Sequence, residues 1–434
     1  MRLLKVPFSV CLPLKRRSLL FLVPIVWFLV FCDGTDAQEN WSRFHGPNGT
    51  GLALEADLPG QISEADFLWN VDLVGTGSSS PVVWGERLFV TSTDSKTGEL
   101  TMECFNSKTG EKIWDKSFES KAYKIHARNS FASGTPAVDK DHVYLTYVHP
   151  DQTIVQALTH DGEKKWQRDF GSWVSAHGFA ASLMTYQDKL IFFNSQQAKK
   201  VPVGKTPGTS TMIALDCQDG SDIWETSLTP TRCCYGVPGI FTDKTGQDQL
   251  IGCNTAEGFF SLDPETGAKN WSTLPFRMRS VASALIADGL IIGSNGSGGG
   301  GNYLVAIRPD DKGGSPEKAY QLQKANYVPS PVAVDGKLFL FTDRGIGRCV
   351  DLQTGELHWQ ERVASGFSGS PIATRNHIYV VDESGKLHVI AADSKYKLVS
   401  SLSLGEDSRS TPAIAGDRLY LRTRSRLICV SKKN

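Results

Sequence analysis

Residues 330–363 read SPVAVDGKLFLFTDRGIGRCVDLQTGELHWQERV. Four short apolar or alternating runs stand here, around Val332–Val334, Leu338–Thr342, Arg348–Leu352 and Leu357–Glu361. Turn chemistry separates them: Asp335-Gly336, Asp343-Arg344-Gly345 and Gln353-Thr354-Gly355. Asp-Gly between apolar runs is a strong hairpin signal, because both central residues of a tight I′ turn need positive φ. The unit predicts a four-stranded antiparallel meander. One such sheet cannot bury both faces alone, so it must stack on copies of itself.

The copies are in the chain. Gly110, Gly162, Gly220, Gly267 and Gly355 are each followed four residues later by Trp114, Trp166, Trp224, Trp271 and Trp359. A second marker, Ser/Thr-Pro at the head of the first strand, appears at Ser80, Thr135, Ser330, Ser370 and Thr411. Weaker forms stand at Ser182, Val237 and Ser283. The marker prolines and their equivalents are 40 to 55 residues apart, the length of a propeller blade and too long for leucine-rich repeats. Eight heads but seven complete units can be counted. The unit from Thr411 has material for three strands, and Phe67–Leu73, FLWNVDL, resembles the outer strand KIWDKSF at Lys112–Phe118. The expected fold is all-β, an eight-bladed propeller closed by an N-terminal strand that completes the last blade.

Residues 1–37 combine Arg2, Lys5, Lys15, Arg16 and Arg17 with an apolar run from Leu19 to Phe31 and small residues before Gln38. That order predicts a secretory signal peptide, with an uncleaved membrane anchor as the alternative. Without it the net charge is −3, which gives no support to a nucleic-acid partner. The division expected is a signal at 1–37, an N-terminal rim segment at 38–66 and a monomeric propeller over 67–434.

The box ENWSRFHGPNGTGLALEADLPG at 39–60, the start LVGTGSSSP at 73–81, and the ruler Leu-Asp-x-x-Thr-Gly-x-x-x-Trp resemble the secreted bacterial PQQ-like β-propeller proteins. The resemblance covers nearly the whole chain after residue 37. It implies the propeller fold, but that repeat serves both quinoprotein dehydrogenases and a non-enzymatic lipoprotein of the outer-membrane barrel-assembly machinery. Quinoprotein alcohol dehydrogenases also carry adjacent cysteines beside their cofactor, which makes a vicinal disulfide at Cys233-Cys234 one expectation and two separate thiols the other.

Fixed on the last strand of each blade, Trp69, Trp114, Trp166, Trp224, Trp271 and Trp359 are expected to dock one blade on the next. Tyr320 and Leu398 stand near this place in blades five and seven, so weaker contacts are expected there. Cys104, Cys349 and Cys429 share a small slot held elsewhere by Ala214 and Ser261 and, by alignment, Ala157, Ala306 and Ala391. No metal-ligand spacing appears. Trp41 and Phe44 are expected to pin the N-terminal segment to the rim.

Long insertions fall between second and third strands and in the connections entering each blade, two loop classes on one face. Side chains there form the candidate ligand-binding set: His126, Arg128, Asn129, His177, Arg232, Tyr235, Arg277, Arg279, Tyr327 and Arg409. The leading functional expectation is an exported, non-catalytic propeller using this channel-mouth face to bind an envelope protein or an acidic glycan, without a cofactor or metal. The alternative is a dehydrogenase of alcohols or sugars using PQQ with calcium. Against it, no Glu/Asn/Asp calcium cluster with an adjacent Asp base is legible. A polysaccharide-cleaving enzyme would need a carboxylate pair, and none stands out.

Overall fold

The computed structural model describes residues 39–432, apart from 150, 275 and 311–313; the signal or anchor segment lies outside the described residues. Among the described residues, strands form eight separate four-stranded antiparallel sheets. Blades one to seven each use consecutive strands, the first starting at Val82 and the seventh ending at Ser403. In the last blade Phe67–Asp72 pairs antiparallel with Arg426–Val430, Trp69 facing Cys429 and Asn70 facing Ile428. Arg418–Arg422 and Ala413–Ala415 complete that sheet. The ring is thus closed by a strand from the opposite end of the chain, and neither terminal sheet is left one strand short.

Burial follows strand position. Second strands are nearly all buried and first strands mostly so, Gly239–Thr242 and Leu285–Ala287 being only partly covered, whereas outer strands such as Lys112–Phe118 and Leu357–Arg362 alternate or lie open to solvent. First strands of neighbouring blades meet one another, which places them around the channel. The core is divided into packets, most of them lying between two neighbouring blades rather than inside one.

The repeated Trp explains why the packets hold. Trp114 Nε1 donates to the His160 carbonyl, Trp166 to Cys217, Trp224 to Pro264 and Trp359 to Asp393, at 2.9–3.0 Å. Trp69 reaches the Ser107 carbonyl at 3.3 Å. Each acceptor lies in the turn between third and fourth strands of the next blade. The turn glycine is needed for two reasons: Gly220 has φ +73°, and a Cβ there would sit 2.6 Å from the Trp166 ring. Tyr320 does the same work in blade five, its hydroxyl donating to the Leu352 carbonyl at 2.9 Å. It is a full contact, not the weaker one expected.

Two junctions depart from the pattern. Trp271 donates to Gln249 Oε1 of its own blade, and the turn it would meet, between Arg308 and Glu317, is the longest of its class. In blade seven the register corrects the sequence alignment. Val389 pairs with Ser400 and Ile390 with Leu398, so Ser400, not Leu398, takes the Trp place and Val389, not Ala391, takes the small slot. Blade eight has no turn there to receive a Trp, because its fourth strand comes from the N-terminus. Pro59 and Gly60 stand in for the turn: the Ser400 hydroxyl donates to the Gly60 carbonyl at 2.8 Å and the Tyr379 hydroxyl to the Pro59 carbonyl at 3.3 Å.

Residues 41–53 of the N-terminal segment leave the rim, while Pro59 and Gly60 further on stand at it. Trp41, Arg43 and His45 are buried, and their partners are inner strands. Trp41 exchanges backbone hydrogen bonds with Val83 in blade one, and the Ser42 carbonyl accepts from Val138 in blade two. Arg43 donates to the Pro238 carbonyl beside blade four. The His45 ring spans the Gly49 and Pro371 carbonyls, and Gly51 and Ala53 pair with Ala373 in blade seven. A segment touching blades on opposite sides of the ring must cross the channel. Apolar Trp41 and the converging first strands account for this placement, since the rim offers no equal burial.

Candidate binding site at the channel mouth

Each blade begins at the mouth with the Ser/Thr marker, and the structure gives that hydroxyl a task. The backbone N–H of Ser80 donates to Thr135 Oγ1, Thr135 to Ser182 Oγ, Val237 to Ser283 Oγ, Ser283 to Ser330 Oγ, Ser330 to Ser370 Oγ, and Ser370 to Thr411 Oγ1. All six bonds are 2.9–3.0 Å, so six of the seven marker hydroxyls, all but that of Ser80, tie their blade to the preceding one. The belt lapses at Val237, which has no hydroxyl. At the junction from blade eight to blade one, the Ser410 hydroxyl and the buried Arg422 guanidinium donate to the Ser79 carbonyl instead.

Above the belt lies a cavity of about 270 Å³. Its lower part is lined by the belt hydroxyls, Val237 and Phe44 of the channel-crossing segment; its upper wall comes from the connections entering the blades. Eight of the ten expected side chains line it: His126, Arg128, Asn129, His177, Tyr235, Arg279, Tyr327 and Arg409. Arg232 and Arg277 do not. Arg277 is exposed and its backbone N–H is held by the Tyr303 hydroxyl, while Arg232 sits half-buried beside the Gln197–Thr231 bridge.

The lining residues divide into those that hold the loops and those that are free for a ligand. Asn129 Nδ2 donates to the carbonyls of His177 and Phe179, tying one connection to the next. The Tyr235 hydroxyl donates to the Gly178 carbonyl. Arg128 pairs with Glu383 at 2.9 Å. Among the described residues Arg279 and Arg409 have no carboxylate within ion-pair distance; Arg409 Nη1 reaches the Ala127 carbonyl at 3.5 Å, and the Nε of each is buried without a partner. His126 and His177 stack with ring centroids 5.4 Å apart. Burial, the Arg279 guanidinium and His126 hold His177 down at about 4, so it is neutral at pH 7 with its Nδ1 unpartnered.

Cys233 and Cys234 are free thiols, not a bridged pair. Cys233 packs with Trp173 and Phe192, and Cys234 with Met184 and Phe260. The two side chains thus lie in different packets of the core, with no bond between their sulfurs. Burial pushes the Cys233 thiol up to about 12 and also raises Cys234, which leaves both unreactive. Cys104, Cys349 and Cys429 occupy the small slot behind the docking aromatics Trp114, Trp359 and Trp69. Among the described residues no group of three His, Cys, Asp or Glu side chains is placed to hold a metal ion.

Sequence reasoning missed the belt and Phe44. The signal for the belt was present: a hydroxyl residue recurring immediately before the innermost strand of successive blades must face the channel.

Known proteins narrow the assignment. The chain is 22% identical over 352 residues to the outer membrane protein assembly factor BamB of Yersinia pestis, covering 76% of this chain and 80% of that one. The crystal structure of BamB from Moraxella catarrhalis superposes with a TM-score of 0.59 at 13% identity, covering 86% of this chain and all of that one. Quinohemoprotein alcohol dehydrogenase from Comamonas testosteroni gives 0.60 at 13% identity, covering 92% and 82%. These superpositions show a shared fold and do not separate a scaffold from a dehydrogenase. The family model of the outer membrane protein assembly factor BamB matches residues 62–233 and 261–434, and on that match the chain belongs to that family.

Proposed function

We propose that this chain is an exported, non-catalytic propeller that holds an outer-membrane assembly protein or another envelope component at its channel mouth. The observation that carries this reading is the wall of the cavity. Arg128, Arg279 and Arg409 line it together with a ring of hydroxyls, and no Asp or Glu is among the lining residues. Glycoside cleavage needs two carboxylates flanking the bond. A calcium ion needs six to eight oxygen ligands, ordinarily with carboxylates among them, so this wall does not fit a calcium–quinone pair. It does suit a partner that brings negative charge. Arg offers planar oxyanions paired hydrogen bonds, and Tyr235 and Tyr327 add flat apolar surface beside polar tips.

A photo-crosslinking residue at Tyr327 or at Lys108 tests the choice of face in cells of the native host. The expected result is a crosslink to an outer-membrane assembly protein from position 327 and none from position 108. Crosslinks from position 108 alone would move the working surface to the opposite rim. Incubation with pyrroloquinoline quinone and Ca²⁺ is expected to give no cofactor uptake and no dye reduction with alcohols or sugars; stoichiometric uptake with turnover would restore the dehydrogenase reading.

A further inference from the structure

The belt has a consequence for what the cavity accepts. A hydroxyl can accept from one partner and donate its own proton to another. Thr135, Ser182, Ser283, Ser330, Ser370 and Thr411 each accept a backbone N–H from the preceding blade. Among the described residues none of the six hydroxyls donates to a protein acceptor, although all six are more than nine-tenths buried and line the cavity. The propeller geometry thus sets a ring of O–H donors around the lower part of a blind cavity. Buried donors with no acceptor are costly, and such groups nearly always meet water or a ligand.

The charges above the ring point the same way. Arg279 is 7% exposed, has no carboxylate partner among the described residues, and leaves Nε unpaired in the cavity wall. Arg409 leaves its Nε unpaired as well. Two carboxylates stand beside the wall: Glu383 is held by Arg128 and the Ser368 hydroxyl, and Asp343 accepts the Tyr327 N–H at Oδ2 while its Oδ1 is buried without a partner. What remains is donors below, a guanidinium at the side, and Val281, Val328, Ala180 and Phe44 between them.

We infer that the cavity is a receptor for a carboxylate carried on an apolar body, the carboxylate between Arg279 and the hydroxyl ring and the apolar part against Val281, Val328 and Phe44. The inference deepens the channel-mouth reading and rests on it. The size agrees: a dry cavity of ~150 Å³ takes benzene, so about 270 Å³ takes one branched side chain with its carboxylate. Two sources share this chemistry, the end of a polypeptide and a free branched-chain acid.

Titration calorimetry on the purified full chain separates them, using acetyl-Ala-Leu with a free carboxylate, its C-terminal amide, 4-methylpentanoate and inorganic phosphate. The expected result is binding of the free-acid peptide, at least tenfold weaker binding of the amide, and no binding of phosphate. Loss of two charge-assisted contacts corresponds to more than tenfold in affinity. Arg279→Lys keeps the charge and removes the planar fork; it is expected to weaken the acid at least tenfold while leaving the amide unchanged. Arg409→Ala provides a second variant on the opposite wall should Arg279→Lys fold poorly. Equal binding by 4-methylpentanoate and the peptide keeps the carboxylate site and overturns the chain-end source. Equal binding of acid and amide, or binding of phosphate alone, overturns the inference. If carboxylate binding is absent while the position-327 crosslink persists, the pocket assignment fails and the channel-mouth reading survives; loss of both removes both.

Discussion

At the lower rim, Trp69, Trp114, Trp166, Trp224 and Trp359 repeat one contact, an indole N–H on a turn carbonyl of the next blade. At the mouth, the side chain changes from one connection to the next: His126 and Arg128, then His177, Tyr235, Arg279, Tyr327 and Arg409. Both sets sit on the same eight sheets and face the same solvent. A contact needed at every junction is repeated, because ring closure requires each blade to dock on its neighbour. A surface shaped for one ligand has no reason to repeat. The mouth also leaves donors unpaired, whereas at the rim the donors of the docking aromatics are satisfied.

If the rim holds the ring, its largest dependence is on closure. Deleting residues through Leu73 removes the outer strand of blade eight and the channel-crossing segment together. The deletion product is expected to lose cooperative unfolding and aggregate; a soluble product with an unchanged melting transition would contradict the closure. Next in size, Trp166→Ala removes a buried indole and its hydrogen bond and is expected to cost about 3–5 kcal/mol in denaturant titrations. Trp271→Ala, whose partner lies in its own blade, should cost about 1–2 kcal/mol. Equal losses would mean that the departure at blade four has no energetic meaning. Ser400→Ala, removing the hydroxyl that replaces Trp at the seventh junction, should cost about 1 kcal/mol.

The same comparison explains what could be read beforehand. Eight blades, their order and the closing strand were legible because turn glycines, markers and period-two runs recur, and each recurrence checks the others. Eight of the ten mouth residues were legible from loop class alone, since connections entering the blades must converge on the channel. Arg232 and Arg277 show the limit, because position along a loop does not say which side chain turns inward. The channel-crossing segment was not legible: its contacts span the ring, as His45 with Pro371 does, and occur once. Blade seven was misaligned because Val389 and Ser400 stand eleven residues apart, against ten from Cys349 to Trp359, and the turn between them lacks the marker glycine.

The smallest effect concerns pH. His177 titrates at about 4 in the fold against 6.5 when free, and Arg279 and His126 face it. The unfolded chain therefore takes up a proton first. Stability from this group is complete above about pH 6.5, falls as pH drops toward 4, and changes no further below that. His177→Asn should flatten that part of the melting-temperature profile, and an imidazole NMR titration near 6.5 would contradict the assignment.

The division of labour itself is tested by measuring unfolding free energy and affinity for the acetyl-Ala-Leu acid on two variants side by side. Arg279→Lys with Arg409→Ala alters the mouth, and Trp224→Ala alters the rim. Lys108→Ala with Lys140→Ala serves as a surface control, since both lysines pair with exposed carboxylates. The predicted result is a crossed pattern: the mouth variant stays within about 1 kcal/mol of the parent in stability and loses affinity more than tenfold. The rim variant loses about 3 kcal/mol or more and, while folded, binds as the parent does. A mouth variant that unfolds but binds normally, or a rim variant that binds poorly at full stability, would contradict the account.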